Sequence, residues 1–183
     1  MSDDLTIRPA ADADLAAVTA IYADHVLRGT GTFELTPPDE AEMTSRFAAI
    51  RGRGQPWLVA ERAGEVLGYA YAGPFRTRPA YDWIVEDSIY IRADHRGQGI
   101  GAALLAELLD RCTGLGYRQM VALIGDSANL GSIRLHERFG FARVGLLAAV
   151  GWKHGRWLDV VLMQRPLGVG DSEGAGRRPS HPV

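Results

Sequence analysis

A chain of 183 residues, 46% hydrophobic and 23% charged, has the make-up of one ordinary globular domain with a proper core. The formal net charge of −2 gives no reason to expect nucleic acid or an anionic membrane as partner, and no apolar run reaches the length of a membrane span. A lone cysteine, Cys112, excludes an internal disulfide and suits a reducing, cytoplasmic compartment. The start Met1-Ser2-Asp3-Asp4 has neither the basic nor the apolar region of a signal peptide.

Leu5 to Arg8 reads as a first strand, and Ala11-Asp12-Ala13-Asp14 as a helix start with acids at the positive dipole end. Leu15, Val18, Ile21, Tyr22, His25 and Val26 follow at helical spacing. After the glycine- and threonine-rich loop 29–34, Pro37-Pro38-Asp39 leads into a second helix, Glu40 to Arg51. Trp57 to Arg62 and Val66 to Tyr71 are apolar strands around the short turn Ala63-Gly64-Glu65, a hairpin. Gly73-Pro74 reads as an interruption before the strand that carries Glu86.

That strand opens the most informative stretch. It ends near Ile91, a polar loop reaches Arg96-Gly97-Gln98-Gly99-Ile100-Gly101, and a helix follows with Leu104, Leu105, Leu108, Leu109 and Cys112 on its apolar face. Cys112 therefore reads as core packing. Glycines between strand and helix let main-chain N–H groups approach a ligand closely, and the first N–H groups of a helix lack internal partners. A diphosphate fits such a place. Gly97-x-Gly99-x-x-Ala102 formally matches the dinucleotide fingerprint, with Asp126 as its acid. Against it, five residues separate strand and loop, and too little chain follows for repeated βαβ units.

Gln119 to Ile124 reads as a buried strand, Leu130 to Arg138 as a short helix, and Phe141 to Val150 and Trp157 to Gln164 as two last strands. The order β-α-α-β-β-β-α-β-α-β-β predicts an α/β fold: a mixed, mostly antiparallel sheet with helices on both faces and one parallel pair around the glycine-loop helix. We expect one domain over 1–167, and a disordered tail over 168–183, where apolar residues are few. The five histidines show no metal-ligand spacing, so no metal is expected.

The Arg-x-x-Gly-x-Gly run from Arg96 to Gly101 resembles the pyrophosphate loop of the GCN5-related N-acetyltransferases (GNAT). Further motifs are similar to the phosphinothricin and methionine sulfoximine/sulfone acetyltransferase subgroup: Thr32-Phe33-Glu34, Arg78 to Ser88, Ile124 to Asn129, Leu135-His136-Glu137 and Lys153-His154-Gly155-x-Trp157. The resemblance spans about Ile7 to Arg165 and implies the GNAT fold, in which the central parallel strands splay and the thioester of acetyl-CoA lies between them. It implies coenzyme contacts from Ile89, Ile91, Arg96, Gly97, Gly99, Gly101 and Asn129, mostly through main chain, and a homodimer.

Acetyl transfer to an α-amine needs a base for the ammonium proton and a donor for the developing oxyanion. Strand alternation places Glu86 with Ile84, Ser88 and Tyr90, opposite Val85, Asp87, Ile89 and Ile91. One of the two acids then meets apolar neighbours and gains a raised pKa; the resemblance favours Glu86 as base. His136, seven residues after Asn129, takes the place of a tyrosine that protonates the departing sulfur in many relatives. As acid, relay or structural residue, its role stays open. Arg76 and Arg78 suit a substrate carboxylate, and Phe33, Tyr81, Trp83, Trp152, Lys153 and His154 suit the pocket wall. Ile84 stands where phosphinothricin-type relatives often carry threonine. The expected activity is N-acetylation of a small amino acid. Alternatives are a peptide N-terminal acetyltransferase, a non-catalytic coenzyme A-binding module and a nicotinamide oxidoreductase.

Overall fold

A computed structural model describes residues 4–179. In chain order the elements are β1 (Thr6–Pro9), α1 (Leu15–Arg28), α2 (Glu40–Gly52), β2 (Trp57–Arg62), β3 (Glu65–Pro74), β4 (Ile84–Ile91), α3 (Ile100–Gly114), β5 (Gln119–Gly125), α4 (Leu130–Arg138), β6 (Ala142–Lys153) and β7 (Arg156–Pro166), with short 3-10 turns between some of them. The strands form one seven-stranded sheet in the order β1-β2-β3-β4-β5-β7-β6. Every neighbouring pair is antiparallel except β4 and β5, which the α3 crossover makes parallel. The element order and the mixed sheet are those expected.

Local chemistry explains most boundaries. Asp39 accepts from the Glu42 N–H at 2.8 Å and caps α2. Ala63 and Gly64 both have positive φ, 52° and 83°, the pattern of a tight hairpin turn. Gly73-Pro74 does not break β3, as the sequence suggested; both residues stay paired with β4, opposite Glu86 and Val85. Pro74 is the last residue of β3, a place where a missing N–H is tolerated.

The pleat sorts β2 and its neighbours into two cores. Leu58, Ala70, Ala72, Val85 and Met120 face α3, whose Ile100, Leu104, Leu105, Leu108 and Cys112 cover them. Val59, Trp57 and Tyr69 face α1 and α2, against Val18, Ile21, Tyr22, Val26, Met43 and Phe47. Neighbours Leu58 and Val59 thus belong to different cores, as a period of two requires.

One irregularity positions everything that follows. β4 pairs with β5 only from Ile84–Gln119 to Glu86–Val121. β4 then continues with β3 to Ile91, while β5 continues with β7 to Gly125. Beyond Glu86 the sheet is forked. Of the segment 168–183, residues 180–183 lie outside the described residues. Nearer β7, Arg118 donates to the Gly174 carbonyl at 3.3 Å and Arg178 pairs with Asp82 at 3.2 Å.

Candidate active site at the fork

The fork leaves one edge of β4 unpaired, and the ladder tells which groups lie on it. The Arg92 N–H donates to the Leu67 carbonyl of β3 at 2.9 Å. Main-chain groups alternate between the two edges of a strand. Glu86, Ser88 and Tyr90 therefore aim theirs at β3, and Asp87, Ile89 and Ile91 aim theirs across the fork. The register with β3 is unbroken from Val85 to Ile91, so no bulge reverses this. Ile89 and Ile91 thus turn their main-chain N–H groups toward the gap.

The glycine loop closes one end of the fork. Gly97 and Gly99 have φ of 77° and 82°, and a Cβ on either would meet nothing within 4 Å. Backbone conformation, not crowding, demands these glycines, and the space before the loop is open. Gly99 caps α3 without a side-chain bond, so the first N–H groups of the helix face that space uncapped. Gly101 serves packing: a Cβ there would lie 3.3 Å from Leu135 and 4.0 Å from Ile91, which holds the start of α3 against α4 and β4. Arg96 is exposed beside the loop. Asn129 caps α4, its Oδ1 accepting from the Ser132 N–H at 3.4 Å.

Glu86 and Asp87 sit at the apex. Glu86 is half-buried, and no hydrogen bond to its carboxylate occurs among the described residues. Burial, and then the negative charge of Asp87, push its pKa up to about 7, with Arg76 opposing. Asp87 is the deeper of the two, only 7% exposed. Its Oδ2 lies 2.9 Å from His136 Nε2, while Oδ1 is buried without a partner. His136, 3% exposed, has its Nδ1 2.7 Å from the Ser132 carbonyl. A carbonyl only accepts, so Nδ1 carries a hydrogen. A carboxylate also only accepts, so Nε2 shares a proton with Asp87. Burial works against the charged ring, but Asp87 and the Ser132 carbonyl outweigh it and raise the His136 pKa. Neither ring nitrogen is left free to meet a leaving sulfur.

The expected substrate residues divide. Arg76, Tyr81 and Ile84 come together in a small polar cleft with Arg53, Gln55 and Tyr117. Arg76 lies over the Phe75 ring at 4.9 Å, and Tyr81 stands edge-on to the same ring. Arg78 is exposed and precedes a 3-10 turn; the cleft does not include it. Phe33 packs where Cβ atoms on Gly125 and Gly151 would collide with it, at 2.9 and 2.3 Å. Lys153 turns inward: its ammonium is buried and donates to the Thr32 carbonyl at 2.7 Å, so it braces the Phe33 loop and is no open wall. Trp152 is exposed, edge-on to Trp157. Sequence reasoning missed Gln55, which sits in a helix-breaking run with no periodicity to mark it. It also passed over His25, although a polar residue inside the apolar stripe of α1 was a signal.

The comparisons agree with this geometry. The sequence model of the Acetyltransferase (GNAT) family matches residues 18–141. The phosphinothricin N-acetyltransferase of Alcaligenes faecalis is 53% identical over 91% of this chain and 85% of its own length. The L-methionine sulfoximine/L-methionine sulfone acetyltransferase of Pseudomonas paraeruginosa is 45% identical over 88% of this chain and 94% of its own. Among solved structures, a GNAT superfamily phosphinothricin acetyltransferase from Sinorhizobium meliloti in complex with AcCoA superposes with a TM-score of 0.90 at 52% identity, covering 98% of this chain and 95% of that one. The forked sheet, the glycine loop and these matches have one reading: the chain belongs to the acetyltransferase (GNAT) family.

Proposed function

We propose that this chain transfers the acetyl group of acetyl-CoA directly to the α-amine of a small amino acid, of the class of phosphinothricin, methionine sulfoximine or methionine sulfone. The observation that carries the reading is Glu86: a half-buried, unbonded carboxylate with its pKa near 7, at the apex of a fork whose open edge offers main-chain donors. A base with that pKa is half deprotonated at neutral pH and suits the removal of an ammonium proton.

The residues fit the coenzyme. Gly97, Gly99, Gly101 and the uncapped start of α3 offer N–H groups to a diphosphate, and Arg96 adds a charge. The open edge at Ile89 and Ile91 pairs with amide groups of the pantetheine arm and supplies the donor for the developing oxyanion. Acetyl-CoA supplies the thioester. Glu86 takes the amine proton, the nitrogen–carbon bond forms and the carbon–sulfur bond breaks. A thiol of pKa about 8.5 leaves well as thiolate, so no acid is required at His136, whose nitrogens are already engaged. We assign the Asp87–His136 pair to holding α4 against β4 at the apex. Arg76 receives the substrate carboxylate.

We also propose a cytoplasmic homodimer built on β6. That strand is an edge of the sheet, and Val144, Leu146, Leu147, Val150 and Trp152 on it are each about half exposed, more apolar edge surface than monomers usually leave open. Light scattering of wild type and Leu146→Asp should give a dimer and a monomer. Two monomers would dismiss the interface. The activity is tested by thiol release from acetyl-CoA over a panel of amino acids, sulfoximines, polyamines and peptides. Turnover confined to α-amino acids supports the reading, and turnover only on peptides overturns it.

A further inference from the structure

His25 belongs to α1, yet its side chain reaches the fork. Its Nε2 lies 2.9 Å from the Ile91 carbonyl oxygen. By the alternation established above, that oxygen lies on the unpaired edge of β4. Burial lowers the His25 pKa, which keeps the ring neutral, and a bond to a carbonyl requires the hydrogen on Nε2. Tyr90 holds the ring edge-on, with centroids 5.1 Å apart. The location matters. Ile91 is the last residue of β4, its side chain is a neighbour of Gly101, and the charge of Arg96 is felt at His25. Uncapped, the Ile91 carbonyl would be an unpaired acceptor on the open edge of β4, at the end of the strand that leads into the anion loop.

We propose that His25 is a positioning residue for the coenzyme: its Nε2–H caps the Ile91 carbonyl and removes an acceptor that would oppose the diphosphate. The proposal rests on the acetyl-CoA reading. The cap decides where strand-like pairing of the ligand with β4 stops and phosphate binding begins. Ile89 and Ile91 N–H groups stay available on the inner side, and the outermost acceptor is already taken. Glu86 and the amine site are not involved.

The test is calorimetric binding of coenzyme A and of phosphate-free pantetheine to the wild type, His25→Leu, His25→Asn and His25→Gln. A glutamine amide reaches about as far as Nε2; leucine has no donor and asparagine is too short. Loss of one such bond predicts coenzyme A binding weaker by about 5- to 10-fold in His25→Leu and His25→Asn, restored in most part by His25→Gln, with pantetheine binding unchanged. Nitrogen-15 NMR of the free wild type should show the neutral Nε2–H tautomer. Equal coenzyme A affinity in all four proteins, equal loss in the glutamine and leucine variants, equal weakening of pantetheine, or the Nδ1–H tautomer would each overturn the proposal. If His25→Leu does not fold, the asparagine–glutamine contrast and the tautomer decide alone. Failure of the wild type to bind coenzyme A would instead sink the acetyl-CoA reading.

Discussion

Glu86 and Asp87 are adjacent in sequence, and the pleat of β4 sends them to opposite faces with opposite results. Asp87 goes to the deeper place, among the side chains that pack on α3 and α4, and is matched there by His136. Glu86 goes to the shallower place and has no hydrogen-bond partner there, so burial and its neighbour's charge outweigh the opposing charge of Arg76. Depth alone therefore does not make a base. A buried carboxylate with a cationic partner is structural; a half-buried one without a partner is chemically poised.

The largest expected effect breaks the Glu86 side. Glu86→Gln keeps shape and removes the proposed base, so kcat/KM should fall by about 100-fold or more at neutral pH. In the wild type kcat/KM should rise with pH through about 7 and then level off, because only the ionised carboxylate accepts a proton. The variant should lack this acid limb. A variant that keeps it would show that another group titrates there.

Breaking the Asp87 side should act on stability first. Asp87→Ala strands His136 in the core, and losing one partner of a buried pair costs about 3 kcal/mol or more, seen as a lower urea midpoint. Asp87→Asn sharpens the point: an amide can donate to a neutral Nε2 and keep the link without charge, so it should be far milder. If alanine and asparagine are equally harmful, charge and not the link holds the apex.

The two residues also predict losses of stability with rising pH in different windows. Glu86 has a folded pKa raised from 4.5 to about 7, so the folded state binds the extra proton between those values. Wild-type stability should fall over that window relative to Glu86→Gln, by about 2 kcal/mol or less given its partial exposure. His136 is raised as well. Its contribution is complete below the unfolded histidine value of about 6.5 and is lost as pH climbs through the higher folded value. Asp87→Asn should flatten that alkaline loss and, by removing the charge beside Glu86, shrink the lower-pH fall without abolishing it, since burial is its larger cause. Urea titrations at a series of pH values separate the two.

Much of this contrast was legible in the sequence. Alternation along β4 put Glu86 and Asp87 on opposite faces, and the glycine spacing at 97, 99 and 101 marked the start of α3. What was not legible came from long-range partners. Asp87 meets His136 across 49 positions and Lys153 meets Thr32 across 121; no local pattern carries such pairings, and so Lys153 read as a pocket wall. Gly73-Pro74 read as a break because local turn signals do not reveal that β4 waits opposite. His25 fitted the helical period of α1 and was absorbed into it, although its nitrogen serves another element.

The smallest effect concerns the rim of the Glu86 face. Ile84 stands two residues before Glu86 on that face and lines the polar cleft with Arg76, Tyr81 and Gln55. A branched apolar side chain among polar neighbours offers no hydrogen bond to an oxygen-rich substrate end. Ile84→Thr keeps the β-branch that suits a strand and adds a hydroxyl worth about 1 kcal/mol if it is met. It should lower KM for phosphinothricin by roughly 5-fold, with kcat and the Glu86 limb of the pH profile unmoved. An unchanged KM would place the substrate's polar end away from Ile84, and with it away from the cleft that holds Arg76.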